Sequence, residues 1–352
     1  MEGYKGKVST IIGLFNVARY LEGKRLSCIL QQSWRDIEII LVNDGSTDET
    51  PRICEELARE DARIKIVNKP NGGLGSARNA GLDAASGEFV WFYDVDDDAE
   101  LNLIEKNVRW MQEYGVDMTI FGMHYIYPDT GYAETSHFVD KLVESNETLK
   151  SIFVDEILMV PNGNGFVTNK FYRKEFLDRF GFRFGEQRIQ QDEFFNLQLY
   201  PSVERLYISS ELLYHYYIYN TGNNRSRYIP DRIRIYESIF DGLMGLRDGW
   251  GIQDERLVNY AYRRFYQGIG ISVLFNTFHR DAPRSHKWKR AEIRSILSRA
   301  KVRECLDHFA GHNYFSLEGR LFFRAYRACC YPGICFLRAM FSFLRKVKHA
   351  LS

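Results

Sequence analysis

Short, almost wholly apolar runs alternate with amphipathic stretches through the first third of the chain. Residues 8–14, 37–42, 64–67, 89–93 and 117–121 read as strands, and 37–42, a β-branched run with almost no polar interruption, as one covered on both faces. Between them, residues 17–32 read as a helix with Val17, Leu21, Cys28 and Ile29 inward. A second helix follows Asp44-Gly45-Ser46-Thr47, with Pro51 in its first turn and a capping box between Ser46 and Glu49. Residues 74–85 and 101–114 complete the set, the latter with Leu101, Ile104, Val108 and Met111 on one face. Repeated strand–helix units predict an α/β fold, a mainly parallel sheet sandwiched by helices. Further on, 128–150 reads as a loop leading to a helix and Asn162-Gly163-Asn164-Gly165 as a turn. Residues 167–172 and the Tyr-rich 212–219 read as strands, with a short helix near 174–179. From about residue 230 the patterns are helical. Two regions are expected: a ligand-binding α/β domain over 1–225 and a helical C-terminal region over 226–352.

Composition narrows the field. Of 352 residues, 45% are apolar and 15% aromatic, enough for a sizeable core in a folded protein. The 47 Lys and Arg nearly balance 46 Asp and Glu, which argues against nucleic acid as a partner. Cations gather late: Arg320, Arg324, Arg327, Arg338, Arg345, Lys346 and Lys348 face one acid, Glu318. Six cysteines without paired spacing read as free thiols. With no apolar signal segment and no spanning run, a cytoplasmic location is expected.

The chemistry concentrates where strands end. Asp94, Asp96, Asp97 and Asp98 crowd the close of an apolar strand, a density of charge that calls for a cation. Oxygen ligands there suit Mg2+ or Mn2+ held together with a phosphate-bearing substrate. Asp44 and the segment Asn71-Gly72-Gly73-Leu74-Gly75-Ser76-Ala77-Arg78 follow two other strands, so three polar clusters share the carboxyl rim where open α/β sheets bind ligands. Asp44 is suited to accept from the N–H of a pyrimidine base. Arg78 stands where a dinucleotide motif would carry its third glycine, and reads as a donor to phosphate or carboxylate. Rival readings exist for each cluster. Asp94, Asp96, Asp98 and Glu105 have calcium-loop spacing, but Ala99 occupies the turn glycine's place. The glycine segment reads alternatively as a plain turn bearing a surface arginine. Asp192 and Glu193 read alternatively as first-turn helix charges. His215, among tyrosines, reads as a metal ligand or as a satisfied, partly buried histidine.

Together these residues resemble family 2 glycosyltransferases of the GT-A fold over about residues 5–225. The resemblance is carried by 7–16, by Ile39-Ile40-Leu41-Val42-Asn43-Asp44-Gly45-Ser46, by Gly72-Gly73-Leu74 through Ala77-Arg78-Asn79-Ala80-Gly81, by Asp94-Val95-Asp96-Asp97, and by Asn169-Lys170-Phe171-Tyr172-Arg173 with Gln191-Asp192. It implies that Phe15, Asn16, Asp44, Asn71, Gly73, Arg78, Asp94 and Val95 line a nucleotide-sugar site. It further implies that Asp96 and Asp94 hold Mn2+ or Mg2+, with His215 as an added candidate, and that Asp192 is the general base. The implied reaction is inverting transfer of a hexose or N-acetylhexosamine from a UDP-sugar to a hydroxyl of a glycan or lipid-linked acceptor, in bacterial surface polysaccharide synthesis. Gln191 stands where that family commonly has Glu. No Gln-x-x-Arg-Trp signature of processive synthases is present, which implies one sugar per encounter. The alternatives are a sugar-1-phosphate nucleotidyltransferase, which should carry a glycine-rich Arg loop after the first strand, and a non-catalytic nucleotide- or calcium-binding module. Phe336, Met340, Phe343, Leu344 and Val347 follow helical spacing with Arg338, Arg345 and His349 elsewhere on the wheel. Such a helix suits the anionic inner face of a membrane as well as packing on the protein.

Overall fold

Five runs become strands of one sheet: Val8–Leu14, Ile37–Asp44 and Phe89–Tyr93 are buried on both faces, and Ile64–Lys69 is a partly exposed edge strand. The computed structural model describes residues 4–23, 26–160, 165–219, 227–310 and 316–351, with 343–351 described by backbone alone. Its strands are β1 (Val8–Leu14), β2 (Ile37–Asp44), β3 (Ile64–Lys69), β4 (Phe89–Tyr93) and β5 (Asp98–Ala99). They continue with β6 (Met118–Tyr127), β7 (Tyr132–Thr135), β8 (Lys141–Val143), β9 (Lys170–Arg173) and β10 (Leu206–Tyr217). The order is β3-β2-β1-β4-β9-β6-β10-β5, with β7 added to β6 and β8 to β10. The expected parallel arrangement holds from β3 through β4. Beyond β4 the sheet is mixed, because β9 enters antiparallel to both β4 and β6 while β10 runs parallel to β6.

Helices α1 (Ala18–Glu22), α2 (Ser27–Leu30), α3 (Thr50–Glu60), α4 (Leu74–Ala84) and α5 (Leu103–Glu113) connect the first strands. α6 (Asn146–Phe153), α7 (Lys174–Phe180) and α8 (Gln191–Leu199) follow. α4 lies closest to the sheet because its inner face is small: a Cβ on Gly81 would stand 2.3 Å from Ile11 Cγ2. At the amino ends of β1 and β2, Glu38 is buried but accepts from Ser9 Oγ (2.6 Å), Ser86 N (2.6 Å) and Lys65 Nζ (2.5 Å). Burial alone would raise its carboxyl, yet these partners hold it well below the ordinary range. That cluster ties strands together and lies at the end away from the rim.

Several local expectations are corrected. The helix expected over 17–32 is two short ones, α1 and α2. Ser46 does not cap α3: that helix starts at Thr50, whose N–H is taken by Asp48 Oδ1 (3.0 Å). Leu101 is 48% exposed, and Leu103 takes its place on the buried face of α5. The expected loop over 128–150 contains β7 and β8, and the strand expected from 167 begins at Lys170. Of the predicted turn at 162–165, residues 162–164 lie outside the described residues.

The chain forms two compact units, 1–223 with 248–253, and 224–247 with 254–352. The sheet belongs to the first. The second is helical: α9 (Arg232–Asp248), α10 (Glu255–Gly270), α11 (His286–Leu297), α12 (Ala300–His308), α13 (Leu317–Arg327) and α14 (Tyr331–Leu351). A π-helical turn, Ile271–Asn276, extends α10. Tyr262 lies against His308, with rings 3.8 Å apart, and donates to Glu304 (2.6 Å), tying α10 to α12.

Candidate active site

The loops after β1, β2 and β3 are stitched to one another. Asn16, held at φ 53°, accepts from Thr47 N (2.8 Å) and Asp48 N (3.3 Å) through Oδ1, while its own N–H donates to Ser46 Oγ (3.1 Å). Phe15 stands at this rim with 42% of its surface exposed, an apolar plate beside polar loops. Asp44 ends β2 almost fully buried and organises the turn that follows β3. Its oxygens accept from Lys69 Nζ (2.5 Å), Gly72 N (2.9 Å), Gly73 N (2.7 Å) and Asn71 Nδ2 (3.3 Å). Gly73 adopts φ 88° and ψ 167°, a region essentially reserved for glycine that costs an L side chain about 1–3 kcal/mol. The carboxylate expected to meet a base thus also folds the loop that contains Asn71 and Gly73.

The four aspartates after β4 separate into different environments. Asp97 is completely buried and accepts from Tyr214 OH (2.7 Å) and Tyr217 N (3.0 Å); Tyr93 OH donates to its backbone carbonyl. Burial foremost, then the charges of Asp96 and Asp94, push its carboxyl far above the ordinary range. It braces the turn. Asp98 lies on β5 and accepts from Tyr217 OH (3.3 Å). Val95 is buried, so its side chain belongs to the core. Asp94 and Asp96 remain at the rim, both part-buried. Glu105 is turned to Ser33 Oγ (2.6 Å) and Arg109 (2.5 Å), which removes the twelfth position of a calcium loop. His215 pairs with Glu100 through Nε2 (3.0 Å) and stacks on His124 at 5.0 Å.

One guanidinium joins two of the predicted residues. Arg78 is 1% exposed on the sheet-facing side of α4, which excludes the reading of a surface arginine. Its Nη2 donates to Asp94 Oδ1 (2.9 Å) and its Nη1 to Asp192 Oδ1 (2.6 Å). Burial opposes its charge, but the two carboxylates hold the proton so firmly that its pKa lies above the ordinary arginine value. For Asp94, burial raises the carboxyl, Arg78 pulls it back, and Asp192 adds to the rise. Removing one partner from such a buried cluster costs roughly 3–5 kcal/mol.

Asp192 reaches Arg78 because α8 is docked on α4. Asn79 grips the preceding loop twice, donating to Phe184 O (2.9 Å) and accepting from Phe184 N (2.8 Å). Phe184 stacks on Phe195 of α8 at 4.1 Å and meets Phe92 of β4 edge-on. The Arg78 guanidinium lies 5.3 Å from the Phe184 ring centre. Gln190 takes φ 60° immediately before α8, turning the chain so that Asp192 falls in the first helical turn with 18% of its side chain exposed.

A second buried cation stands behind Asp192. Lys170 is fully enclosed and donates to Phe166 O (2.5 Å) and Asn169 Oδ1 (3.0 Å). Phe166 O also accepts from Asn196 Nδ2 (2.9 Å), one turn beyond Asp192 on α8. Burial lowers the Lys170 amine to about 7, with Asp192 acting the other way. Sequence reasoning took 169–173 only as a motif and missed this lysine, as it missed Asn79 and Phe184. A lysine inside an apolar, aromatic strand was the available signal.

The two rim carboxylates fit a divalent cation. Among the described residues no three His, Cys, Asp or Glu side chains are grouped to hold a metal by themselves. A pair of hard oxygen donors is what Mg2+ or Mn2+ uses when substrate phosphates and water complete its shell.

Comparisons with known proteins bear on the family and the fold. The glycosyl transferase family 2 model matches residues 9–181. The uncharacterized glycosyltransferase EpsJ of Bacillus subtilis is 30% identical over 344 residues, 95% of each chain. The putative glycosyltransferase EpsH of the same organism is 31% identical over 217 residues, 60% of this chain and 61% of its own length. Among solved structures, S. aureus TarS 1–349 in complex with UDP-GlcNAc has a TM-score of 0.64 at 19% identity, over 96% of this chain and 91% of that one. At that identity the likeness is one of fold.

Proposed function

Because the chain belongs to glycosyl transferase family 2, we propose that it is an inverting, divalent-metal-dependent enzyme using a UDP-sugar. It transfers a hexose or N-acetylhexosamine to a hydroxyl of a glycan or lipid-linked saccharide in bacterial surface polysaccharide assembly. Family membership sets aside the nucleotidyltransferase and the non-catalytic module. The observation that carries the mechanism is the bridge from Asp94 through Arg78 to Asp192, which brings a donor-side carboxylate and a candidate base to one cation.

In this reading Phe15 and the loops held by Asn16 and Asp44 receive the nucleoside, and Asn71, Gly73 and the backbone at Val95 border the sugar diphosphate. Asp94 and Asp96 would hold Mn2+ or Mg2+, whose charge, when bound, neutralises the leaving diphosphate. His215, with its Nε2 on Glu100, stays a subsidiary candidate. Asp192 accepts the proton of the acceptor hydroxyl while that oxygen attacks the anomeric carbon and the bond to diphosphate breaks on the opposite face, so the anomeric configuration inverts. Arg78 fixes the direction of Asp192 through the bond to its Oδ1; it acts on substrate through its partners. The TarS chain was solved with UDP-GlcNAc, the reason to put a UDP-sugar first in any trial. All six cysteines are free, which supports a reducing, cytoplasmic setting.

The test is a panel of nucleotide sugars with Mn2+, scoring nucleoside diphosphate release. A UDP-sugar should turn over, chelator should reduce release at least a hundredfold, and added Mn2+ should restore it. Full turnover in excess chelator would remove the metal from the scheme.

A further inference from the structure

α14 has apolar residues on two opposite sides, one packed within the second unit and the other exposed among the described residues. Ile334 and Leu337 are buried, and the Phe341 ring lies 5.9 Å from Phe322 of α13, so this phase faces the second unit's core. About half a turn around the helix, Phe336 is 67% exposed, with Pro332 and Ala339 exposed beside it. A surface helix ordinarily carries polar residues there. Instead the sequence repeats this apolar phase at Phe343 and Val347.

The flanks are cationic. Residues 331–351 contain Arg338, Arg345, Lys346 and Lys348 and no Asp or Glu. Arg338 is exposed, lies over Phe278 at 4.4 Å and donates to Leu274 O (3.2 Å). Lys289 of α11 shares Phe278 at 5.2 Å, and His286 meets Tyr331 OH at 2.9 Å, so the start of α11 adjoins α14. That stretch adds Arg280, Arg284, Lys287 and Arg290, all exposed, against one acid, Asp281. A second copy of this chain would bring like charges together. A surface with an apolar layer beneath anionic groups would satisfy both features. No described helix is long and apolar enough to cross a membrane.

We propose that the second unit binds an anionic membrane surface through α14, with Phe336 entering the apolar boundary and Arg338 and the 280–290 cations meeting lipid phosphates. The purpose assigned to this attachment, access to a lipid-linked acceptor, rests on the proposed transferase function; the binding itself does not. The test is sedimentation of the full chain, without donor, with vesicles of phosphatidylcholine alone or mixed with phosphatidylglycerol. The chain should sediment with the mixed vesicles only and be released by high salt. Phe336→Ser should weaken binding roughly tenfold, from the lost burial of one aromatic side chain. Arg284→Glu with Lys287→Glu should weaken it further. Circular dichroism and nucleoside diphosphate release should match the parent in each variant, showing that the fold is intact. Equal binding to both vesicles, no binding to either, unchanged binding by well-folded Phe336→Ser, or self-association mediated by Phe336 would overturn the proposal. A chain that binds vesicles but transfers no sugar would refute the transferase reading alone.

Discussion

Asp94 and Asp192 are separated by nearly a hundred residues yet share one arginine, and most of the site's electrostatics follow from that. Arg78 can be buried because two carboxylates answer its charge, and they tolerate their shared environment because it is there. Lys170 is fully enclosed, and burial lowers its amine to about 7. The sign of its effect on stability follows. Unfolded, a lysine keeps its proton up to about 10.5, so between about 7 and 10.5 the unfolded chain binds a proton that the folded chain does not. Folding is penalised fully below that window and not above it. Lys170→Met should therefore show a pH-dependent stability difference: from pH 7 to 10 the parent gains relative to the variant, by a few kcal/mol at most. Urea unfolding at several pH values measures this, and a constant difference would mean that Lys170 is charged in the folded protein.

At the scale of elements, what sequence could reveal was whatever depends on neighbours in the chain. β1, β2 and β4 were legible because strands buried on both faces leave continuous apolar runs, and β3, an edge strand with Lys65 exposed, from its short β-branched run. Asp44, the Gly72–Gly73 turn and Asp94–Asp98 were legible as a rim because all follow such strands. β9 was harder to place, because its antiparallel entry between β4 and β6 is a choice of topology that local pattern does not encode. Asp97 looked like its neighbours, and only the approach of Tyr214 and Tyr217 on β10 makes it a brace. Arg78's partners were hidden for the same reason, since they depend on Asn79 and Phe184 docking α8. Close approach of α4 to β1 underlies that docking, and Gly81 permits it. Gly81→Ala would place a methyl against Ile11, and the overpacking should cost about 1–3 kcal/mol and reduce turnover as Arg78 shifts. Unfolding midpoints measured beside kcat check this; a stable, fully active variant would mean that α4 has room to spare.

For the whole molecule, two compact units divide the labour in the proposed account: an α/β unit carrying the rim, and a helical unit whose exposed cations and apolar face suit a lipid surface. The near-neutral total charge conceals this division, since the late cations are balanced by acids earlier in the chain. The account's central claim is that chemistry depends on a carboxylate at Asp192, across the Arg78 bridge from the donor side. Asp192→Asn measures it most directly, with donor affinity and turnover determined on the same preparation. The prediction is turnover reduced by at least a thousandfold with UDP-sugar affinity within a few-fold of the parent, because the amide keeps the shape and loses the base. Turnover that stays near the parental rate would contradict it.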